Sequence, residues 1–100
     1  MNIFMKKAYW MAIYKEIKNP ENIKKYAEKA TPAIQKYKGK ILSRGGKIET
    51  IEGIKSPRTV LIEFPSMEDA LNCYNSREYQ DAMKISKGEF NRHIQIVEGI

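Results

Sequence analysis

One hundred residues suffice for one domain with a single core, and 42% hydrophobic with 30% charged residues is a globular balance in which no apolar run approaches the ~20 residues that span a bilayer. The only cysteine, Cys73, excludes an intramolecular disulfide and a thiolate metal site and points to a cytoplasmic address. A net charge of +6 favours anions, but the lysines are scattered, which reads as a solvated basic surface more than a nucleic-acid footprint.

The stretch from Met1 to Tyr14 has no small-residue cleavage site and reads as the approach to a first strand, not as a signal peptide. Within Lys7 to Ile17, Ala8, Trp10, Ala12 and Tyr14 alternate with Tyr9, Met11 and Ile13, so both faces of this strand require cover. Asn19 before Pro20 marks a helix start. Ile23, Tyr26, Ala27, Ala30, Ile34 and Tyr37 follow at helical spacing, with a bend expected at Pro32 and a stop at Gly39.

Lys40 to Ile51 reads as a second strand, with a bulge or close backbone approach at Gly45 and Gly46 and a turn from Gly53 to Pro57. Thr59 to Phe64 is the third strand, antiparallel to the second, and Pro65 stops it. Ser66 with Asp69 opens a second helix whose buried face is Ala70, Leu71, Cys73 and Tyr74. Ser76 caps a further turn or two through Tyr79, Ala82 and Met83, Gly88 ends it, and His93 to Val97 is the last strand.

The order βαββαβ predicts an α+β, ferredoxin-like domain over residues 1–100, a four-stranded antiparallel sheet with its helices on one face. The other face, apolar in the first and third strands, then expects a second copy of the chain in a homodimer.

Several phrases carry a family resemblance: Lys38-Gly39-Lys40-Ile41-Leu42-Ser43-Arg44-Gly45-Gly46, Glu52-Gly53, Pro57-Arg58, Glu63-Phe64-Pro65-Ser66, then Ala70, Tyr74, Ser76, Glu78-Tyr79-Gln80 and Val97-Glu98-Gly99. In this order and spacing the chain resembles the domain of unknown function 1330, within the dimeric α+β barrel superfamily. The resemblance implies a ferredoxin-like protomer that dimerises through its sheet, and no particular chemistry. The family usually has two glycines where Lys38 and Gly39 stand, and often an arginine near Ser86, where this chain offers Lys84 and Lys87.

Among side chains, Arg44 stands out, because Gly45 and Gly46 open the backbone beside a guanidinium that can grip a carboxylate. A hairpin centred near Ile54 would bring Glu63 across from Arg44, either as a structural ion pair or as an acid and base in a pocket wall. Were there catalysis, Glu63 would be the candidate proton acceptor. Tyr74 and Tyr79 supply apolar walls, so the expected ligand is a small apolar or aromatic molecule with an anionic group, held between the sheet and the second helical segment. Trp10, Tyr14 and Tyr37 are core or pocket aromatics by the same reasoning.

The lone His93 lacks further metal ligands, Cys73 reads as a buried small hydrophobe, and no glycine-rich loop or dinucleotide fingerprint supports a cofactor. Two alternatives stand beside ligand binding. One is a purely structural or interaction dimer; the other is RNA binding, against which Thr59-Val60-Leu61-Ile62-Glu63-Phe64 lacks the basic-Gly-aromatic signature.

Overall fold

Strand β1, Ala8–Ile17, is an inner strand of the sheet, with a partner on each edge, and its Ala8, Trp10, Ala12 and Tyr14 are buried on one side. The computed structural model describes residues 5–100; Met1–Phe4, part of the expected domain and of the expected approach to the first strand, lie outside the described residues. Helix α1, Pro20–Lys36, starts where the Asn19 side chain accepts the Glu21 N–H at 3.0 Å. It runs on past Pro32, with Ala30, Ala33 and Ile34 buried on either side of the proline. Packing of that stripe on the sheet offsets the lost hydrogen bond.

Helix α1 ends in a Schellman motif, the Gly39 N–H reaching the Ile34 carbonyl at 2.8 Å and Lys38 the Gln35 carbonyl at 3.0 Å. Strand β2 is Lys40–Arg44 and stops well short of the expected Ile51. At Gly45 the backbone turns to φ +72°, a left-handed geometry that takes the chain out of the ladder. The irregularity sits at Leu42, between the pairs Ile41↔Ile62 and Ser43↔Leu61, and not at the glycines.

Strand β3, Arg58–Phe64, completes the hairpin, and helix α2, Met67–Asn75, begins at Ser66, whose hydroxyl accepts the Asp69 N–H at 3.1 Å. Its buried residues are Ala70 and Cys73; Leu71, expected inside, is 45% exposed because it lies one position round the helix from Ala70. Ser76 caps helix α3, Arg77–Ser86, a full element in place of the expected turn or two. Strand β4, Phe90–Glu98, extends beyond the expected His93–Val97 at both ends.

The four strands form one antiparallel sheet in the order β2-β3-β1-β4, with the three helices on one face: the ferredoxin-like arrangement expected. The core lies between helices and sheet and centres on Trp10, whose ring contacts Phe64, Tyr74 and Tyr79 at centroid distances of 5.9, 5.7 and 5.0 Å. Across the helix-free face, Met11 stands between Leu61 and Gln95, and Tyr9 between Glu63 and Val97. No helix among the described residues is long and apolar enough to cross a membrane.

Candidate functional site

Strand alternation places Arg92 of β4 on the helix side, opposite Tyr14 of β1 and in phase with Ile94 and Ile96. A charged residue in the apolar phase of a strand has to find partners inside. Arg92 Nη1 donates to the hydroxyls of Tyr14 (3.0 Å) and Tyr26 (3.2 Å), and Nη2 donates to Tyr79 (3.0 Å) and approaches Met83 Sδ (2.8 Å). The Tyr26 and Tyr79 hydroxyls also bond to each other. One tyrosine from each of β1, α1 and α3, with Met83 of α3 beside them, thus converges on a guanidinium from β4.

All of these partners are neutral. Burial pushes the Tyr79 hydroxyl well above the ordinary tyrosine range, and the neighbouring Tyr26 adds to the shift against the pull of Arg92. Burial likewise raises Tyr26, with Arg92 opposing. Burial disfavours the Arg92 charge, but the facing tyrosine oxygens outweigh it and its pKa lies above the ordinary arginine value. Among the described residues no carboxylate pairs with Arg92. A partly buried cation held by phenols and a thioether keeps the capacity to bind an anion.

Arg92 opens onto a cleft of about 670 Å³ between α3 and the β4 edge of the sheet, walled by Tyr74, Met83, Phe90 and Ile94, with Lys84 and Lys87 at the rim. A smaller apolar groove of about 290 Å³ continues it past Met67 and Leu71 along α2. The exposure of Leu71 therefore falls beside the cleft. Phe90 packs edge-on against both Tyr14 and Tyr26, at 5.5 and 5.7 Å between centroids, so the cleft and the tyrosine cluster share a wall.

The residues singled out in the sequence do not form one group. Arg44 pairs with Val60, points to the helix side and donates to Thr31 Oγ1 at 2.9 Å. Glu63 pairs with Lys40 and Tyr9 on the helix-free side and meets Lys7 at 3.3 Å. The expected Arg44–Glu63 pair is therefore absent: the hairpin register sets them three positions apart on opposite sheet faces, and Glu63 is remote from the cleft. Tyr74 lines the cleft, whereas Tyr79 is fully buried behind it and reaches it only through Arg92. The Arg58 guanidinium lies beside Gly45, Nη1 being 3.6 Å from where a Cβ would stand, and Gly46 lines the same opening.

Sequence reasoning missed Arg92. The available signal was its phase, two residues before Ile94 and four before Ile96 in the last strand. Burial pushes the Cys73 thiol up to about 12, so it is inert, and His93 lies on the helix-free side, opposite Ile13 and against Gln95. Among the described residues no group of His, Cys, Asp and Glu side chains is arranged to hold a metal ion.

Comparison with solved structures supports the fold. A protein of unknown function from Rhodopseudomonas palustris superposes with a TM-score of 0.76 at 13% identity, over 95% of this chain and 83% of that one. A protein from Bacteroides fragilis, described as dimeric with a ferredoxin-like fold, gives 0.56 at 14% identity over 93% and 96%. A cofactor-independent oxygenase from Streptomyces nogalater gives 0.65 at 3% identity over 95% and 94%. These likenesses are of fold alone. No curated protein matches the sequence. Residues 7–100 match the family described as Domain of unknown function (DUF1330), and the chain belongs to that family.

Proposed function

We propose that this domain binds a small apolar or aromatic molecule carrying an anionic group in the cleft between α3 and β4, with Arg92 as the anion-binding residue and Tyr74 and Phe90 as walls. The observation that carries this reading is the Arg92 guanidinium, ringed by neutral tyrosines, paired with no carboxylate among the described residues and facing a cleft with apolar walls. Lys84 and Lys87 at the rim add to the local positive potential.

The site belongs to each protomer of a homodimer formed through the helix-free sheet face. Support for the dimer comes from Tyr9, Met11, Ile13, Leu61 and Val97, which lie side by side there, Ile13 and Val97 being 40% and 47% exposed. The Bacteroides fragilis structure of the same fold, described as dimeric, is consistent with it. A cofactor-independent enzymatic role is a second reading, favoured by a guanidinium that would hold a phenolate or carboxylate substrate and by the fold shared with the Streptomyces nogalater oxygenase.

A thermal-shift screen of aryl carboxylates and phenols on wild type and on Arg92→Gln tests the binding reading, at matched protein concentration because dimerisation itself moves the midpoint. The expected result is a dose-dependent rise in Tm that Arg92→Gln abolishes and Arg44→Ala leaves in place. A rise that survives Arg92→Gln would place the ligand elsewhere, and no rise across the panel would favour a structural dimer.

A further inference from the structure

We infer that the chain carries a second, separate site for a small carboxylate, built on Arg58 at the opposite side of Tyr14 from the α3–β4 cleft. Arg58 opens β3 directly across from Tyr14, and its guanidinium lies over the Tyr14 ring at 5.8 Å, while Arg92 approaches the same ring from β4 at 5.5 Å. Tyr14 therefore separates two guanidiniums. The Arg58 backbone bonds the Ser56 hydroxyl, but apart from the Tyr14 ring its guanidinium has no partner among the described residues: Nε is buried without a hydrogen bond, and no carboxylate pairs with it. A buried donor left unbonded costs free energy, and the guanidinium that carries it lines an open pocket.

What adjoins Arg58 is a cavity of about 510 Å³, walled by Ile17, Ile23, Pro20 and Pro57 and floored by Gly45 and Gly46. Gly45 lies beside the guanidinium, since a Cβ there would stand at ordinary contact distance, 3.6 Å, from Arg58 Nη1, and φ +72° suits glycine to the position. One planar guanidinium and apolar walls define the ligand: the fork matches a carboxylate, the walls match a short aliphatic or aryl tail, and a single positive charge suits a monoanion better than a phosphate dianion. The residues of this cavity and those of the α3–β4 cleft do not overlap. Failure of one site therefore leaves the other standing.

Hexanoate titrations followed by amide ¹H–¹⁵N spectra test the second site, with inorganic phosphate as the comparison anion. The Gly45 and Gly46 amides are expected to move saturably with hexanoate, with a midpoint raised about tenfold by Arg58→Gln, less by Arg58→Lys, and left unchanged by Arg92→Gln. Should Arg58→Gln not fold, Arg58→Lys, which keeps the charge and loses the fork, decides the matter. Unmoved glycine amides at the highest hexanoate concentration would overturn the site. So would a midpoint indifferent to the Arg58 substitution that folds, or an equal response to phosphate, which would reduce the effect to charge screening.

Discussion

The Arg92 guanidinium donates to the Tyr79 hydroxyl at 3.0 Å and so ties the edge strand β4 to α3 across the floor of the cleft. Tyr79 is fully buried, and Tyr26 joins it from α1. A ligand drawn to Arg92 would thus press on a contact shared by three elements, which links occupancy of the cleft to the stability of the helix layer.

That cluster predicts an alkaline limit to stability. The folded-state pKa values of Tyr26 and Tyr79 are raised above the ordinary 10.0, and that of Cys73 is raised from 9.0 to about 12, in each case first by burial. The unfolded chain therefore releases these protons before the folded one does. Their contribution is full below about pH 9 and is lost as the pH climbs through the raised values. Urea midpoints measured from about pH 8 to about pH 11 are expected to fall, and to fall less steeply in Tyr79→Phe. A flat profile, or one of unchanged slope in the variant, would contradict the assignment of these hydroxyls as neutral and buried.

The end of α1 predicts two substitutions of opposite sign. Lys38 is the one non-glycine residue with positive φ among those described, at +68°, in the left-handed position of the Schellman motif. Lys38→Gly should raise the unfolding free energy by about 1 kcal/mol by relieving that strain. Next to it, a Cβ on Gly39 would stand 2.5 Å from Ile34 Cγ2 and 2.8 Å from the Phe64 ring. Gly39→Ala should therefore destabilise by about 1–3 kcal/mol, since both neighbours are buried and have little room to yield. Denaturant titration of the two variants side by side separates these effects from any change in slope.

The order of elements was legible because it rests on local signals: Asn19 and Pro20, Ser66 with Asp69, Ser76, and the period-two phase of β1 and β3 all act where they stand. The candidate site was less legible because it depends on register. Arg44 and Glu63 were paired by counting outward from Ile54, but the ladder ends at Arg44 and an irregularity at Leu42 shifts the count, so Lys40 takes the place facing Glu63. The tyrosine cluster gathers Tyr14, Tyr26, Tyr79 and Arg92 from four elements. No spacing along the chain records that meeting. The arginine expected beside Gly45 and Gly46 was Arg44; Arg58, arriving from the next strand, stands beside Gly45, a meeting that depends on the same register.

The helix-free face supplies the last prediction. Leu61 lies near its middle, with Met11 across on β1 and Ser43 across on β2, while Gln95 and His93 of β4 border the apolar patch. Burying this patch against its own copy would remove contiguous apolar surface from water on both protomers, and a two-fold axis would bring the same residues together from each side. A charge placed there would have to be desolvated twice, facing its own symmetry mate. Light scattering after size exclusion is expected to give wild type a mass of about twice 11.6 kDa and to give Leu61→Arg the monomer mass of 11.6 kDa. Far-ultraviolet circular dichroism of Leu61→Arg serves as the control, because Leu61 points away from the helices and its replacement should leave the helix–sheet core intact. A wild-type monomer at micromolar concentration would remove the dimer, and a Leu61→Arg dimer of undiminished mass would move the interface off this face.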